Sequence, residues 1–447
     1  MISVLRIIYK ICHVFGSVFI AVRQKHKVED AIPPVGDRKL LLLSASDIAE
    51  MIRNREVTSE KVVLEEARKV DKLIQSGEYD KTELKDKFPL LGVPFTIKDS
   101  FCVAGLRHTA GSYYRKDIIA AEDAEVVKSL KSVGAIPIGV TNVPELCMWW
   151  ESHNTVYGRS RNPYDTRHIT GGSSGGEAAV QGAAGSAFGI GSDIAGSIRV
   201  PSLFCGIFGH KPTSGIISCW GQQPEVKGRL VELLTTGPMG SSRQRSAPHL
   251  RRAHRRKHPE MKDALRKAVQ HLEQTYGVKA QVSACNGLRR GKANFSKLYH
   301  SLEIWVQAVS GAGGVPFYQP ILGVGEILFR ISPHTLPAIM LGIIEKMAYI
   351  GNQLPRHKQL IEMGYSLAKE IQDVLKDDAV LLYPSFPSPA PRITFPFRPA
   401  DFSYCAVFNV LGVPVTQVPL GLGSKGLPLG VQSCGWHAQR PHYNQRC

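Results

Sequence analysis

Residues 169–202 read ITGGSSGGEAAVQGAAGSAFGIGSDIAGSIRVPS and hold the densest run of glycine and serine in the chain. Its two glycine-rich ends, 169–180 and 191–202, are unsuited to a regular helix or strand. The stretch that joins these ends and overlaps them by a few residues is more regular: EAAVQGAAGSA predicts a helix of small residues that packs closely on its neighbours, and FGIGSD predicts a strand that ends in a turn. This stretch is typical of the interior of an α/β domain.

Helix and strand patterns alternate on both sides of this stretch. Upstream, GVPFTIKDSF predicts a buried strand that ends at Lys98 and Asp99, and DAEVVKSLKSVGAIPIGVT predicts a helix, a stop at Gly134 and a second strand. Downstream, a helix followed by a strand is predicted again in residues 261–282, 357–385 and 407–421. We therefore expect an α/β fold with a single large mixed, mainly parallel, twisted sheet covered by helices on both faces.

The chain divides by composition into four parts. Residues 1–22 are largely apolar but carry Arg6 and Lys10, and we expect them to form a helix that anchors the chain in a membrane. A cleaved signal peptide and a buried helix are the alternatives, although no A-x-A-like cleavage site follows. A polar linker (23–39), one large globular domain (40–432) and an irregular tail (433–447) complete the prediction.

The formal charge of +17 raises nucleic acid or an anionic surface as a partner. Residues 243–262, RQRSAPHLRRAHRRKHPEMK, form a basic, atypical insert without apolar periodicity. Because no aromatic residue interleaves its basic residues, we expect a solvated insert and no nucleic-acid partner. The nine cysteines include no CxxC pair and no Cys/His cluster at zinc spacing, so we predict no metal and no cofactor.

Several interpretations of the glycine- and serine-rich stretch compete. The Lys and Ser/Thr of a phosphate-binding P-loop are missing. Gly172, Ser174 and Gly176 satisfy the G-x-S-x-G pattern, which would make Ser174 the nucleophile of an α/β-hydrolase esterase. The turn of residues 193–197 instead offers a run of backbone N–H groups beside Ser197, suited to holding an oxyanion. The alternative to a functional site is that both segments are tight turns that only precede helices.

A serine nucleophile needs a base within hydrogen-bond reach. Lys98 is favoured, because most of the fifteen histidines lie in polar, basic or terminal stretches. A lysine with the usual pKa of about 10.4 is almost fully protonated at pH 7, so burial must lower the pKa of Lys98 by several units. A structural ion pair with Asp99 is the alternative role for Lys98. Asp193 and Arg199 flank the turn and are expected to pin it as an ion pair.

Four segments, GVPFTIKDSF, ITGGSSGGEAAV, GSDIAGSIRVPS and GVPVTQVPLG, resemble the amidase signature family in this order and at its intervals. The resemblance covers residues 40–432. ELCMWWESHNTVYGRSRNPYD and CGIFGHKPT are most similar to the fatty-acid amide hydrolases of that family, especially the type 2 enzymes. The resemblance implies the amidase signature fold and a serine hydrolase that cleaves the amide bond of lipophilic acyl amides.

The resemblance also implies a proton relay of Lys98, Ser173 and Ser197, with a cis peptide bond before Ser173. Neutral Lys98 takes a proton from Ser173 while Ser173 takes one from Ser197. Ser197 then carries the acyl group until water removes it.

Further positions match the oxyanion hole and the substrate site of the family. The matching backbone N–H groups belong to Ile194, Ala195, Gly196 and Ser197. Met148 matches a position that lines the substrate site, and Ser174 matches one that supports the nucleophile. The family usually has glycine where Ala195 stands, so a positive φ at this position would be strained.

The resemblance relates residues 328–350 to a lipid-facing cap of membrane-bound relatives. Together with residues 1–22 they favour membrane association, on endomembranes or lipid droplets, and a homodimer is a further expectation. Two other functions stay open. One is an amidase component of an amidotransferase, which would work with partner chains, and the other is a truncated, catalytically impaired membrane-associated variant, because residues 63–64, 240–262 and 433–447 depart from the family pattern.

Overall fold

The computed structural model describes residues 61–241, 259–278, 280, 295–310, 334–335, 337–339, 356–375, 379–393 and 399–435. The predicted anchor (1–22), the linker (23–39) and most of residues 328–350 lie outside the described residues. None of the helices in the described ranges has the length and apolar character needed to cross a bilayer.

The helices and strands alternate only in part along the described chain. The α-helices are α1 (Lys61–Gln75), α2 (Lys81–Lys87), α3 (Glu125–Ser132), α4 (Gly175–Gly182), α5 (Arg199–Phe204), α6 (Leu230–Leu233), α7 (Pro259–Tyr276), α8 (Ser301–Ser310), α9 (Arg356–Leu375) and α10 (Ser403–Val410). The strands are β1 (Pro94–Lys98), β2 (Ile136–Thr141), β3 (His153–Asn154), β4 (Gly158–Arg159), β5 (Phe188–Asp193), β6 (Phe208–Lys211), β7 (Thr235–Gly240), β8 (Leu381–Tyr383), β9 (Val415–Leu422) and β10 (Pro428–Cys434).

Eight of these strands form one sheet in the order β2-β1-β5-β7-β6-β9-β10-β8. The mixed sheet is confirmed, but its antiparallel share is larger than predicted. Strand β1 runs parallel to β2 and β5, whereas each other neighbouring pair of described strands is antiparallel. The connection from β9 to β10 shows one reason, because a tight turn closed by Gly423 N–H donating to Leu427 O at 2.8 Å reverses the chain.

Helices cover both faces of the sheet, as predicted. In β1, Phe95 and Ile97 pack against Val126 and Val127 of α3, while Thr96, which points to the opposite face, bonds to a side chain of α4. Strand β10 is covered in the same two-sided way. Its residue Leu429 packs with α5 and α7, and its residue Cys434 packs with α9 and α10. The sheet is therefore the middle layer of the domain.

Two predicted boundaries are corrected by the structure. Helix α7 begins at Pro259, so the last four residues of the basic insert 243–262 are helical, while residues 242–258 lie outside the described ranges. Strand β10 continues through Cys434 because its last residues pair with both β9 and β8. The first two residues of the predicted irregular tail therefore belong to the sheet, and residues 436–447 lie outside the described ranges.

The parallel end of the sheet brings three polar strand ends together. Lys98 ends β1, Thr141 ends β2 as its register partner, and Asp193 ends β5. In parallel sheets the loops at the carboxyl ends of neighbouring strands meet at one edge, where ligand sites form. The turn 193–199 follows β5 at this edge.

Candidate active site

Lys98 is a buried lysine, 1% exposed, that faces serine hydroxyl groups. Its Nζ lies 2.6 Å from Ser173 Oγ and 3.0 Å from Ser192 Oγ. Burial lowers the pKa of Lys98, and Cys147, Asp193 and Glu177 oppose that change electrostatically. The alternative ion pair with Asp99 is absent from the described contacts, because the Asp99 carboxylate accepts hydrogen bonds from Thr109. Lys98 therefore has the surroundings of a base.

Ser173 follows a cis peptide bond after Gly172, as the sequence resemblance implied. The buried Ser152 holds the loop 171–175. Its hydroxyl accepts from the N–H of Gly175 at 3.0 Å and donates to Gly171 O at 3.1 Å. This support fixes the Ser173 hydroxyl against Lys98.

Ser197 is partly exposed, whereas Ser173 and Ser174 are buried. The N–H of Ser174 donates to the carbonyl oxygen of Ser197 at 3.1 Å, so the two serine-bearing loops touch. Ser174 Oγ donates to Ser192 O at 3.4 Å. No hydrogen bond within the described residues joins the hydroxyl groups of Ser173 and Ser197. Exposure favours Ser197 as the serine that meets substrate.

The carboxylate of Asp193 organises the turn that carries Ser197. Arg199 donates to it from Nε at 3.0 Å and from Nη2 at 2.9 Å, which confirms the predicted ion pair, and both side chains are fully buried. Burial alone would raise the pKa of Asp193, but Arg199 holds that pKa below its usual range. Asn409 donates to the same carboxylate at 3.1 Å, and Trp305 Nε1 donates to Ile194 O at 2.8 Å. Side chains of α5, α8 and α10 thus hold the turn in place.

The predicted oxyanion-hole donors differ in availability. The N–H of Gly196 donates to Asp193 Oδ1 at 2.7 Å, so it is already used. The N–H groups of Ile194, Ala195 and Ser197 have no hydrogen-bond partner among the described residues. Ala195 is absent from the residues with positive φ, while Gly196 has φ +117. The alanine at position 195 therefore avoids the strain that a positive φ would cause.

Comparison with known proteins gives a consistent result. A family model described as amidase matches residues 48–277. Fatty-acid amide hydrolase 2-A of Danio rerio is 39% identical to this chain, covering 92% of this chain and 88% of that protein. Fatty-acid amide hydrolase 2 of Homo sapiens is 37% identical, covering 88% of this chain and 85% of that protein.

The chain belongs to the amidase family. A solved structure described as fatty acid amide hydrolase has a TM-score of 0.67 over 89% of this chain and 82% of that chain, and at 18% identity it supports the shared fold alone. As an amidase, this chain is a serine hydrolase of amide bonds. The interpretation of Ser174 as the nucleophile of an α/β-hydrolase is wrong, because the fold is that of an amidase and the Ser174 side chain is buried against Ser192.

Met148 follows a short 3-10 turn, Glu145–Cys147, whose Cys147 interacts electrostatically with Lys98. The buried Glu145 carboxylate accepts from the N–H of Thr335 at 2.7 Å and lies 2.6 Å from His334 Nδ1. The described part of residues 328–350 therefore touches the turn that carries Met148. A role for Met148 in lining the substrate site stays a prediction.

Three site residues of this amidase were missed by sequence reasoning. Ser192 contacts Lys98, Ser152 supports the Ser173 loop, and Glu177 is fully buried and interacts electrostatically with Lys98. Only Glu177 left a signal, because it is the one acidic residue in a helix of small residues, EAAVQGAAG. The other two are single serines whose partners come from distant segments.

Proposed function

We propose that this chain hydrolyses the amides of long-chain, lipophilic acyl groups through an acyl-enzyme on Ser197. The observation that carries the proposal is the 2.6 Å contact between Lys98 Nζ and Ser173 Oγ in a buried environment. A lysine whose pKa is lowered by burial is neutral often enough to accept a proton from a hydroxyl group.

The proposed reaction moves protons along three side chains. Ser197 Oγ attacks the carbonyl carbon of the amide, its proton passes to Ser173, and the Ser173 proton passes to Lys98. The free N–H groups of Ile194 and Ala195 stabilise the negative charge that develops on the carbonyl oxygen. Lys98 returns its proton through Ser173 to the nitrogen of the departing amine. Water then releases the acyl group from Ser197.

The substrate class rests on the relatives. Two proteins named fatty-acid amide hydrolase 2 align over most of this chain at 37% and 39% identity. Glutamyl-tRNA(Gln) amidotransferase proteins also match, with the one from Synechococcus 28% identical over 87% of this chain. Other amidotransferase subunits reach 40% to 44% identity over only 30% to 36% of this chain, so the higher identity of the hydrolases over most of the chain favours a lipophilic amide over glutamine. Release of fatty acid from a long-chain acyl amide, against release of ammonia from glutamine, separates the two activities.

A fluorophosphonate probe, which reacts with activated serine hydroxyls, tests the nucleophile. The full-length chain should label, Ser197→Ala should not, and Ser174→Ala should keep the label. Labelling that survives in Ser197→Ala and disappears in Ser174→Ala would contradict the proposal. Thermal melting of each variant is the control for folding. A folded wild-type chain that neither labels nor hydrolyses amide would favour the impaired variant instead.

We also propose that the chain associates with membranes, on endomembranes or lipid droplets, through residues 1–22 and 328–350. The support is the apolar composition of both segments and the contacts of His334 and Thr335 with Glu145, which connect the second segment to the site. The full chain should sediment with phospholipid vesicles and a chain lacking residues 1–22 should sediment less. Equal sedimentation of the two would remove the anchor from the proposal.

A further inference from the structure

Glu177 is a fully buried carboxylate that the reaction described above does not use. It lies in the first turn of α4, just after the loop of Ser173 and Ser174. Its Oε1 accepts from Thr141 Oγ1 at 2.7 Å and its Oε2 accepts from Thr96 Oγ1 at 2.8 Å. These partners are neutral hydroxyl groups, so no cation hydrogen-bonds to Glu177 within the described residues. Asp193, which is equally buried, has Arg199.

Both hydroxyl groups that hold Glu177 belong to close neighbours of Lys98. Thr96 precedes Lys98 by two residues and shares its face of β1. Thr141 is the register partner of Lys98 on β2. The Glu177 carboxylate is therefore held beside the buried lysine without a direct hydrogen bond to it, and the two side chains interact electrostatically.

Strand β5 leaves room for this carboxylate. A Cβ at Gly189 would overlap Glu177 Oε2, so a side chain there would displace the acid. Burying a carboxylate without a paired cation is costly, and an apolar residue would fill the same space at lower cost. The buried carboxylate therefore lowers the stability of the fold relative to an apolar residue, although two hydroxyl groups and a glycine accommodate it. Its charge lies beside Lys98.

We propose that Glu177 is the counter-charge of Lys98, whose carboxylate stabilises the lysine ammonium formed when Lys98 takes the proton of Ser173. This inference rests on the proposed function. In that step Lys98 gains a proton, Ser173 exchanges its proton for that of Ser197, Ser197 Oγ bonds to the acyl carbon, and the π electron pair of the C=O bond moves onto the carbonyl oxygen. Glu177 gains and loses nothing. It acts through Lys98 and touches no substrate, so it is a positioning residue.

The titratable and polar groups around the pair determine the sign of the effect. Burial raises the pKa of Glu177 to about 7, against which Thr141, Thr96, Gln181 and Lys98 act. Burial lowers the pKa of Lys98, against which Cys147, Asp193 and Glu177 act. Once ionised, Glu177 therefore keeps the pKa of Lys98 higher than it would otherwise be. Loss of this charge makes Lys98 a weaker base that is neutral at lower pH.

The pH profile of kcat/KM for a long-chain acyl p-nitroanilide tests the inference in Glu177→Gln, which keeps the shape and removes the charge. The acid limb reports the protonation of Lys98 and should move to lower pH by roughly half a unit or more, while the plateau falls about tenfold. An acid limb that stays in place in a folded Glu177→Gln enzyme would overturn the inference.

Gln417→Leu is the matched control, because Gln417 is a buried neutral residue of β9 whose side chain bonds to Ser385 and Val418 and not to Glu177. It should lower the melting temperature and leave the acid limb in place, and an equal shift in this control would also overturn the inference. If Glu177→Gln does not fold, Thr141→Val serves instead. Loss of the Thr141 donor raises the pKa of Glu177 further, so Glu177 becomes ionised only at a higher pH. The acid limb should therefore again move to lower pH, and an unmoved limb would overturn the inference.

Failure of the inference differs from failure of the proposed function. An active wild-type enzyme whose limb does not respond to Glu177→Gln contradicts the counter-charge alone. A wild-type chain that neither labels with fluorophosphonate nor hydrolyses amide contradicts the function and the inference together.

Discussion

Two buried lysines illustrate how the surroundings of a single residue determine its chemistry. Burial lowers the pKa of Lys98 and lowers the pKa of Lys211 to about 7. Lys211 donates to the carbonyl oxygen of Pro212 at 3.0 Å. Lys98 instead meets the hydroxyl groups of Ser173 and Ser192. Of these two lysines, Lys98 is the one that contacts serine hydroxyl groups, one of which lies on a loop that touches the partly exposed Ser197.

Lys98→Met should reduce kcat by about a hundredfold or more, because Ser173 then has no base. The fold should survive, since methionine removes a buried charge and keeps most of the side-chain volume. Steady-state kinetics and thermal melting separate the two effects. Ser192→Ala is the control that removes a neighbour of Lys98 but leaves the Ser173 contact, and it should lose far less activity. Equal losses in both variants would contradict the role of Lys98 as the base.

Lys211→Met should become more stable relative to the wild type as the pH falls from about 9 to 7. The folded-state pKa of Lys211 is about 7 and the usual value is 10.5. The wild type therefore has its full stability above the pKa of the unfolded state. It loses stability as the pH falls toward the pKa of the folded state, by about 1.4 kcal/mol per pH unit at most. Urea unfolding at several pH values measures the difference. Lys116→Met, which removes an exposed lysine, is the control substitution.

At the scale of an element, the turn 193–199 is held by hydrogen bonds to a buried carboxylate within the turn itself. The Asp193 carboxylate accepts from the N–H groups of Gly196 and Ile198 and from the side chain of Arg199. A Cβ at Gly196 would lie 2.6 Å from Cys405 Cβ, so the helix α10 closes on the turn from outside. The position of Ser197 therefore depends on a buried charge pair and on close packing.

Arg199→Met should lower the free energy of unfolding by about 3–5 kcal/mol, because it leaves the Asp193 charge buried and unpaired. Labelling of Ser197 by fluorophosphonate should fall with it. Asp193→Asn combined with Arg199→Met should recover part of the stability. Lys128→Met, which breaks largely exposed ion pairs with Glu122 and Glu125, should cost far less. Equal costs for the two single variants in urea unfolding would contradict this account.

Local patterns predicted most elements near the site, and they failed where the partner was distant. The apolar run before Lys98 predicted β1, and Gly134 correctly marked a helix end, with φ +88. The ion pair of Asp193 and Arg199 was within reach of sequence reasoning because only a short turn separates them. Ser192 was not, because its contact with Lys98 spans 94 residues of sequence and depends on the pairing of β1 with β5.

At the scale of the whole molecule, sequence predicted the layers better than the strand directions. The recurring helix and strand pattern correctly predicted a sheet covered on both faces. It could not predict that β7 pairs between β5 and β6, because pairing order depends on long-range contacts. The C-terminal hairpin of β9 and β10 also reaches the turn that carries Ser197, since the Gln432 side chain accepts from Arg199 at 3.0 Å.

Truncation of the C-terminal hairpin should therefore inactivate the enzyme. A chain ending after Leu427 lacks β10, exposes the edges of β9 and β8, and removes the Gln432 contact with Arg199. It should lose cooperative unfolding and fluorophosphonate labelling. A chain ending after Gly435 keeps all of β10 and should retain both. Labelling by the shorter chain at the wild-type rate would contradict this dependence.

The acyl-enzyme itself tests the central claim most directly. The full-length chain is mixed with a long-chain acyl p-nitroanilide, quenched in acid during turnover, digested and analysed by peptide mass spectrometry. The account predicts an acyl group on the peptide of residues 191–199, located at Ser197, and absent from Ser197→Ala. An acyl group on Ser174, or steady turnover by Ser197→Ala, would contradict it.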